Sequence, residues 1–394
     1  MTDLLVVGAG PAGSLAAVHA ARAGMRVTLV ERFRHPRPKA CAEYASPRIA
    51  EELARAGIPG AAWRETAVPL DGMRVVVGGS GFDVRYADRR GARCAWGLDR
   101  RGFDALLAAE AQHAGATLLE GWQLAAIERD QGGRVVAATI RDGSGTERRI
   151  GFDALVGADG ARSRTARLLG VERPVRAPRR LGLIAHYAGI NALRHSGEMH
   201  VGPGWYVGLA PTPGGELNVG MALPLHGAPS GAGGTRARFQ AAITGIPGVE
   251  ARLRNSRRLS PIRGASPIGH RVAEVAGPGW MLVGDAAGFI DPFTGEGIYR
   301  ALRSARAAVD ALTATGVADP AARYRAERRR AFRAKDALTW LVQGLLAAPP
   351  LLGYVARRLE QRPEAALRLG SALGDCRPAS DAFAPSLFAD VMRP

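Results

Sequence analysis

The chain has 394 residues, of which 47% are hydrophobic and 23% are charged. This length is enough for two domains, and the composition excludes global disorder. Basic residues outnumber acidic ones by 53 to 36, yet only Lys39 and Lys335 are lysines. The arginines are spread along the chain without interleaved aromatics, which argues against nucleic-acid binding. The net charge of +17 would attract anionic substrates, NADPH or a membrane surface.

The cysteine pattern and the N-terminus both favour a cytoplasmic protein. Cys41, Cys94 and Cys376 are too few for a disulfide framework, which is typical of a reducing compartment. An apolar strand and a glycine-rich turn begin close to Met1, where a signal peptide would otherwise stand. We expect no metal site.

The first informative element is a glycine-rich turn between a strand and a helix. Leu4–Val7 predicts a strand, Pro11–Ala23 a helix that Gly24 ends, and Val27–Val30 a second strand. This context indicates a dinucleotide site in which the helix N-terminus faces a pyrophosphate and Glu31 accepts ribose hydroxyls. By itself the motif fits FAD and NAD equally. The candidate cofactor contacts in this segment are Gly8, Gly10, Pro11, Ala12, Gly13, Glu31 and Arg32.

A second cofactor signal lies in the middle of the chain. The apolar run 154–158 ends in Asp159-Gly160, a turn pair that permits close approach to a bound group. Upstream, Asp99 is a candidate N-cap, and Arg100 is read either as a phosphate contact or as a solvated arginine at a helix start. Segments Leu118–Leu124 and Arg134–Ile140 predict strands, and Leu124 is included among the cofactor contacts.

A second glycine-rich cradle follows near residue 284. The run 279–283 predicts a buried strand, and Asp285 is suited to hold a ribityl or ribose hydroxyl. A helix predicted over Ile298–Leu312 would direct its N-terminus at a flavin, where its dipole stabilises the negative charge of the reduced ring. The two cradles together indicate one long cofactor, FAD. The contacts predicted here are Gly284, Asp285, Pro292, Gly295, Gly297 and Ile298.

These three segments, in this order, resemble the FAD-dependent family of p-hydroxybenzoate-hydroxylase-like monooxygenases, flavin halogenases and geranylgeranyl reductases. The resemblance covers about residues 1–315. The runs 292–299 and 158–167 are most similar to the geranylgeranyl-reductase branch. Hydroxylases usually carry arginine, histidine and asparagine where this chain has Ala166, Gly288 and Tyr299. The stretch 205–211 lacks the tryptophan motif of the halogenases.

The segment 37–47 also resembles the reductase branch, in which a cysteine stands beside the flavin. That branch usually follows the cysteine with glycines, whereas this chain has Ala42-Glu43-Tyr44. The resemblance implies that the Cys41 thiol donates a proton to a double-bond carbon opposite the hydride. The alternative is that Cys41 is a small buried hydrophobic residue.

The predicted fold class is α/β, with a Rossmann-like FAD-binding domain interleaved with an antiparallel-sheet substrate domain. The FAD domain is assigned to 1–70, 98–175 and 265–315, and the substrate domain to 71–97 and 176–264. Strands are expected at Met73–Val77, Phe82–Tyr86, Leu181–Tyr187, Trp205–Leu209 and Glu216–Leu223. Side chains that either line the substrate cavity or belong to the ordinary core are Trp205, Tyr206, His186 and Met221.

The last segment, 316–394, is predicted to be a helical region. Ala337–Ala356 carries no charge over twenty residues, but Pro349-Pro350 interrupts it. Two packed helices with a corner at the prolines are the favoured interpretation. Docking on a membrane surface through the basic flanks and a membrane span are the alternatives.

The sequence thus predicts an FAD-dependent oxidoreductase that reduces carbon–carbon double bonds of a prenyl or other apolar substrate. NADPH or a ferredoxin would be the electron donor. The alternatives are a monooxygenase that hydroxylates a phenolic or polyketide-like ring, and a non-catalytic flavin-binding redox module. The oligomeric state is left open.

Overall fold

The computed structural model describes residues 2–190, 195–225 and 234–392. Its strands are β1 (Thr2–Val7), β2 (Val27–Glu31), β3 (Tyr44–Ala45), β4 (Ala67–Leu70), β5 (Gly72–Val77), β6 (Ser80–Asp88), β7 (Gly91–Arg93), β8 (Ala95–Leu98), β9 (Thr117–Glu120), β10 (Trp122–Arg129), β11 (Val135–Asp142), β12 (Glu147–Gly157), β13 (Glu172–Arg173), β14 (Arg180–Ala188), β15 (Ser196–Gly202), β16 (Trp205–Thr212), β17 (Glu216–Pro224), β18 (Arg257–Arg258), β19 (Arg263–Ala265), β20 (Arg271–Val272), β21 (Ala276–Gly277) and β22 (Trp280–Leu282).

The α-helices are α1 (Pro11–Arg22), α2 (Ile49–Arg55), α3 (Gly60–Arg64), α4 (Arg100–His113), α5 (Arg164–Leu168), α6 (Gly234–Thr244), α7 (Pro247–Leu253), α8 (Gly297–Thr313), α9 (Pro320–Ala347), α10 (Pro349–Gln361), α11 (Pro363–Leu373) and α12 (Pro385–Met392). Short 3-10 helices occupy Pro213–Gly215, Gly284–Ala287, Pro292–Thr294 and Ala379–Phe383.

A parallel sheet forms the centre of the N-terminal architecture. Five of its strands follow the order β22–β12–β1–β2–β9, all parallel, and β10 and β11 extend the first half of β12 as an antiparallel meander. This is the predicted Rossmann-like arrangement. The strand predicted over Leu118–Leu124 is wrong, because Gly121 at a φ of 81° separates β9 from β10.

Helices α1, α4 and α8 pack on one face of this sheet and bury an apolar core. Leu15 of α1, Phe103 of α4 and Leu302 of α8 are fully buried there. The opposite face buries Leu5 of β1 and Val30 of β2 against apolar side chains of the meander. Alternating strands and helices bury both faces of a parallel sheet, as such sheets require.

A nine-stranded sheet builds the second layer of the molecule. Its main order is β18–β14–β17–β16–β15–β5–β6–β7, and β19 also pairs with β14. Each of the five strands predicted here is present, within three residues of its predicted ends. The sheet is not purely antiparallel, because β15, which the sequence did not indicate, runs parallel to β5.

The predicted domain ranges follow the two large sheets. The strands of the eight-stranded sheet fall within 1–70, 98–175 and 265–315, and those of the nine-stranded sheet fall within 71–97 and 176–264, except for the last residue of β19. A three-stranded sheet, β3–β8–β4, joins segments from both sets of ranges. The division into domains stays a prediction.

The C-terminal helices cover the outer face of the nine-stranded sheet. The predicted corner is present, since α9 and α10 meet at Pro349-Pro350 with a bend of 112°. Within residues 2–190, 195–225 and 234–392, no single helix has the length and apolar character of a membrane span, although the bent α9–α10 pair passes that test on length and composition. The hydroxyl of Ser371 on α11 accepts from the backbone N–H of Ala87 on β6 at 3.0 Å.

A buried ionic cluster joins these helices to Glu296, the residue just before α8. Lys335 of α9 lies 2.8 Å from the carboxylate of Glu296 and 3.2 Å from that of Asp375, and it also donates to the carbonyls of Ala372 and Leu373. Although burial opposes the charged form of Glu296, Lys335 lowers the pKa of that carboxyl. Removing the cation therefore leaves two carboxylates in a dry environment.

We expect Lys335→Met to lower the free energy of unfolding by about 3–5 kcal/mol, because an unpaired buried charge is far more costly than a missing pair. The measurement is the midpoint of urea unfolding of the purified protein. Arg330→Met is the control, since Arg330 is 82% exposed and its contact with Glu327 is a surface ion pair. Equal midpoints for the two variants would contradict this role of the cluster.

Candidate active site

Three turns meet at the carboxyl ends of adjacent parallel strands. The turns follow β1, β12 and β22, and they contact one another directly. A Cβ at Gly8 would lie 2.6 Å from the carbonyl oxygen of Ala158, and one at Gly284 would lie 3.0 Å from the Cβ of Ala12. The structure thus brings both cradles and the middle Asp-Gly turn into one place, as the sequence predicts for a single long ligand.

The N-terminal glycines have different roles. Gly8 has a φ of 100°, and a Cβ at Gly13 would be 1.8 Å from the carbonyl oxygen of Gly8, so both are required by the protein's own packing. At Gly10, by contrast, a Cβ would meet only the Arg37 guanidinium, at 3.7 Å. The missing side chain leaves open space before the N-terminus of α1, with Pro11 at its first position, and this space fits a pyrophosphate.

The end of β2 supplies charged groups beside this turn. Glu31 is buried and accepts from the backbone N–H of Ala9 at 2.9 Å and from Arg37 at 3.2 Å. This carboxylate therefore lies next to the glycine turn, where the sequence predicts ribose contacts. Arg32 is exposed, and its guanidinium stacks on Phe33 at 4.6 Å.

The middle turn is organised by its aspartate. The Asp159 carboxylate accepts from the hydroxyls of Ser163 and Thr165 and from the Thr165 backbone N–H at 2.6 to 3.1 Å. Gly160 has a φ of 81°, and a Cβ there would lie 3.6 Å from the Lys39 ammonium. The aspartate shapes the turn, and the glycine leaves its outer side open.

A hydrogen bond to a side chain of α8 supports the C-terminal cradle. The backbone N–H of Gly284 donates to the Ser304 hydroxyl at 2.9 Å. Asp285 is half-buried, and within the described part of the chain no hydrogen bond to its carboxylate occurs. Its oxygens are thus available to a ligand hydroxyl, as predicted.

The remaining candidates of this cradle line the start of α8. Pro292 begins a 3-10 turn, Gly295 has a φ of 67°, and Ile298 is 6% exposed. Gly297 is the first residue of α8, one residue before the predicted start, and a Cβ there would meet only Phe289, at 3.9 Å. The N-terminus of α8 is thus open to a negatively charged group.

Leu124 differs from the other candidates because its side chain is in the core. It is 2% exposed and packs in the apolar cluster with Val30 and Leu155. The β10–β11 register shifts between Leu124 and Ala126. Only the backbone at this position is left for a cofactor contact.

Cys41 lies between the cradles and the nine-stranded sheet. It is half-buried, the Glu43 backbone N–H donates to its sulfur at 3.4 Å, and the Arg100 guanidinium is close enough to interact with it electrostatically. Three residues on, the Tyr44 ring lies against Gly295, at 2.8 Å from a Cβ built there. The thiol therefore has a hydrogen-bond donor and a cation near it, unlike a purely apolar packing residue.

Arg100 is not the solvated residue that one interpretation proposed. It is 4% exposed and forms a bidentate pair with Asp104 at 2.8 and 2.9 Å, because burial of a guanidinium requires a carboxylate partner. Burial opposes the charged form, but Asp104 and Cys41 raise the pKa of Arg100. Asp99 caps α4 as predicted, accepting from the backbone N–H groups of Arg101 and Gly102.

A second buried charge cluster, which the sequence did not indicate, is centred on Asp291. Asp291 accepts from Arg180 and from the Tyr206 hydroxyl, each at 2.6 Å, and Gln343 of α9 also accepts from Arg180. Burial raises the pKa of Tyr206, and the neighbouring Asp291 carboxylate raises it further. Tyr206 is thus a structural link between the sheet and the C-terminal cradle.

Sequence analysis also missed Arg37, Lys39 and Asn218, and it gave Glu43 and Ser260 no role. Arg37 and Lys39 lie beside Gly10 and Gly160 and add positive charge at the phosphate side. The sequence did contain a signal for these two residues. They come just before Cys41, in a segment that carries one of the chain's only two lysines. Asn218, by contrast, is brought next to Cys41 by the pairing of β17 with β14, and no local sequence pattern reveals that pairing.

Comparison with known proteins agrees with this geometry. Residues 1–203 match the family described as FAD binding domain. The chain is 32% identical to a menaquinone reductase of Mycolicibacterium smegmatis, over 80% of this chain and 78% of the relative. It is 30% identical to a digeranylgeranylglycerophospholipid reductase of Methanothrix thermoacetophila, over 77% of this chain and 75% of the relative.

Solved structures share the fold. A flavoprotein/dehydrogenase from Cytophaga hutchinsonii matches with a TM-score of 0.84 at 24% identity, covering 94% of this chain and 92% of that one. A geranylgeranyl bacteriochlorophyll reductase-like protein from Thermoplasma acidophilum matches with a TM-score of 0.82 at 23% identity, covering 99% and 98%. With the family match over more than half its length and cradles that fit the cofactor, this chain belongs to the FAD-binding family and is an FAD-dependent oxidoreductase.

Proposed function

We propose that this enzyme reduces a carbon–carbon double bond in a prenyl or other apolar substrate. The observation that carries the proposal is the position of Cys41, which lies between the glycine cradles and the nine-stranded sheet with the Glu43 backbone N–H donating to its sulfur and the Arg100 guanidinium close by. The relatives named as reductases of menaquinone and of digeranylgeranylglycerophospholipid support this substrate class.

In the proposed step, FAD when bound and reduced supplies a hydride to one carbon of the double bond. The Cys41 thiol gives its proton to the other carbon, and the thiolate regains a proton from solvent. The Arg100 guanidinium and the Glu43 N–H hold the negative charge left on sulfur meanwhile. The two electrons come from an external donor, for which we propose NADPH docking transiently or a ferredoxin.

We further propose that the protein acts in the cytoplasm at the surface of an anionic membrane. Seven of the eight large apolar side chains that are well exposed in the described chain lie after residue 339. On α9, the exposed residues Arg330, Arg333, Ala337, Trp340 and Leu341 recur at helical spacing, so that arginines and apolar residues share one stripe. We name this stripe, with Arg329, the arginine face.

The arginine face combines charge and apolar area as interfacial helices do. Trp340 is 51% exposed and Leu341 is 46% exposed, as is Leu351 just beyond the Pro-Pro corner. A cleft of about 600 Å³ next to Phe383 is lined by Arg329, Arg330 and Arg333, and its charge is complementary to lipid phosphates. A lipid-soluble substrate would be met at such a surface.

The first prediction concerns the cofactor. Gly10→Val would fill the space before α1 with a branched side chain, and we expect it to reduce FAD occupancy at least about tenfold, because the phosphates approach the backbone there. The ratio of flavin to protein absorbance after purification measures occupancy. Gly143→Val, in a turn with open space around it, is the control. Full occupancy in the Gly10 variant would contradict the assignment of the first cradle.

The second prediction concerns the thiol. We expect Cys41→Ala to slow double-bond reduction by about 10²-fold or more, the usual scale for loss of a general acid, with flavin reduction nearly unchanged. Stopped-flow bleaching with NADPH or reduced ferredoxin and product mass measure the two steps. Cys94→Ala is the matched control, because Cys94 is also half-buried.

A different result would identify one of the alternatives. A product one oxygen heavier, with Cys41→Ala still active and oxygen consumed in step, would replace the reductase by a monooxygenase acting on a phenolic or polyketide-like ring. Flavin that bleaches with dithionite but turns over with no donor would indicate a non-catalytic module.

The third prediction concerns the arginine face. Reversing its charge with Arg329→Glu, Arg330→Glu and Arg333→Glu should weaken sedimentation with phosphatidylglycerol-containing vesicles by about tenfold or more, because each cation contributes roughly 1 kcal/mol near an anionic surface. Arg89→Glu with Arg90→Glu, in the exposed β6–β7 turn, is the control. Release of the wild-type protein by salt is expected, and a vesicle pellet that resists salt would contradict peripheral docking.

A further inference from the structure

Glu43 has an unusual backbone conformation beside Cys41. Its φ is 57°, in the left-handed region, and of the non-glycine residues in the described chain only His195 and Asp375 share this property. A side chain with a Cβ is strained there, whereas glycine adopts this conformation freely. A glutamate retained at such a position indicates that its carboxylate has a role that offsets the strain.

The carboxylate of Glu43 is the centre of a buried polar cluster. One oxygen accepts from Nε2 of His186 at 2.7 Å and from Nδ2 of Asn218 at 2.9 Å, and the other accepts from the Arg100 backbone N–H at 3.3 Å. The Glu43 side chain is only 4% exposed. Three separate elements, α4, β14 and β17, thus converge on one carboxylate.

The same groups also hold Cys41. The Glu43 backbone N–H donates to the cysteine sulfur at 3.4 Å, and the second amide hydrogen of Asn218 reaches the Cys41 carbonyl oxygen at 2.9 Å. Asn218 therefore bridges the Glu43 side chain and the Cys41 main chain with its two N–H bonds. Because Asn218 is fully buried, this bridge has little competition from water.

Sheet register explains why these side chains meet. His186 of β14 and Asn218 of β17 are direct antiparallel partners, so their side chains project from the same face. On the other side of the imidazole, Nδ1 of His186 lies 3.2 Å from the Ser260 hydroxyl, which also accepts from the His186 backbone N–H. The ring is thereby oriented from both nitrogens.

The charges agree with an ion pair. The hydrogen bond to Glu43 raises the pKa of His186 although burial opposes this, and the nearby acidic groups of Glu216 and Asp99 act in the same direction as Glu43. The side chain of His186 is 20% exposed, so the imidazole is not fully shielded from solvent. The buried Oδ1 of Asn218 has no partner in the described chain and remains as an acceptor at this site.

We propose that Glu43, His186 and Asn218 form a clamp that fixes the Cys41 turn against the nine-stranded sheet and sets the direction of the thiol. They are positioning residues, because they act through Cys41 and not on the substrate. The strained backbone at Glu43 turns the chain so that its N–H points at the sulfur while its carboxylate meets β14 and β17. The catalytic part of this inference rests on the proposed reductase function, whereas the structural part does not.

The clamp makes a prediction that needs no substrate. Iodoacetamide labelling of FAD-saturated protein, mapped by mass spectrometry, measures the reactivity of Cys41 against that of Cys94 as an internal reference. We expect Glu43→Gly and His186→Leu each to raise the Cys41 to Cys94 ratio by about fivefold or more, because the released turn opens more often and exposes the thiol to the reagent. His186→Gln keeps a donor for Glu43 and should stay within about twofold of wild type.

Stability separates positioning from a purely structural role. Glycine removes the strain at residue 43, so Glu43→Gly should shift the melting temperature by no more than a few degrees, roughly the size expected of a small stability change. Its kcat for alkene reduction should nevertheless fall by about tenfold or more with little change in KM, since the thiol is misplaced only for the chemical step. The kcat of His186→Leu should fall similarly, whereas His186→Gln, which keeps a donor for Glu43, should retain most of the wild-type kcat.

The outcomes distinguish the clamp from the reductase itself. Unchanged Cys41 labelling in both Glu43→Gly and His186→Leu would overturn the clamp, whatever the activity. Altered labelling in a protein whose wild type reduces no alkene would retain the clamp and reject the proposed function. If Glu43→Gly fails to fold, His186→Leu and Asn218→Leu give the same labelling test, because each removes one arm of the clamp.

Discussion

The close contact of three turns at the ends of β1, β12 and β22 is the constraint on which the structure depends. Parallel neighbours bring their carboxyl ends together, and the chain at Gly8 and Gly13 passes too close to other backbone for a side chain, while Gly284 has a φ of 58° and lies against the Cβ of Ala12. Gly10 stands apart, because the space beside it is unfilled by protein. Packing and cofactor binding thus place separate demands on glycines of one motif.

Buried charges connect this centre to the rest of the molecule. Arg100 with Asp104, Asp291 with Arg180, and Lys335 with Glu296 are each shielded from water. Such pairs add little net stability over apolar packing, but each fixes one arrangement because a shifted partner would leave a charge unpaired. The Arg180–Asp291 and Lys335–Glu296 pairs link β14 and α9 to the segment before α8, and Arg100 and Asp104 fix each other within α4. The clamp at Glu43 follows the same principle at the thiol.

The C-terminal helices have two faces with different consequences. One face buries Leu346 and Ala356 against the nine-stranded sheet, together with Cys376 just after α11, which completes a core that the sheet cannot complete alone. The other leaves arginines, Trp340 and Leu341 in solvent. Since α9 also contributes Lys335 and Gln343 to the buried clusters, a surface contact on this helix would be connected directly to the groups under the cofactor loop.

The sequence alone determined the features that depend on local spacing: the glycine turns, the cap at Asp99, the helix over α8 and the Pro-Pro corner. It also indicated FAD, because two cradles in one chain require a long ligand. Only the tertiary structure decided that Arg100 is buried, that β15 lies parallel to β5, and that Asn218 reaches Cys41. These depend on sheet register and on contacts between residues far apart in the chain, which leave no periodic pattern. A positive φ at Glu43 is likewise set by its surroundings, since no local preference favours glutamate there.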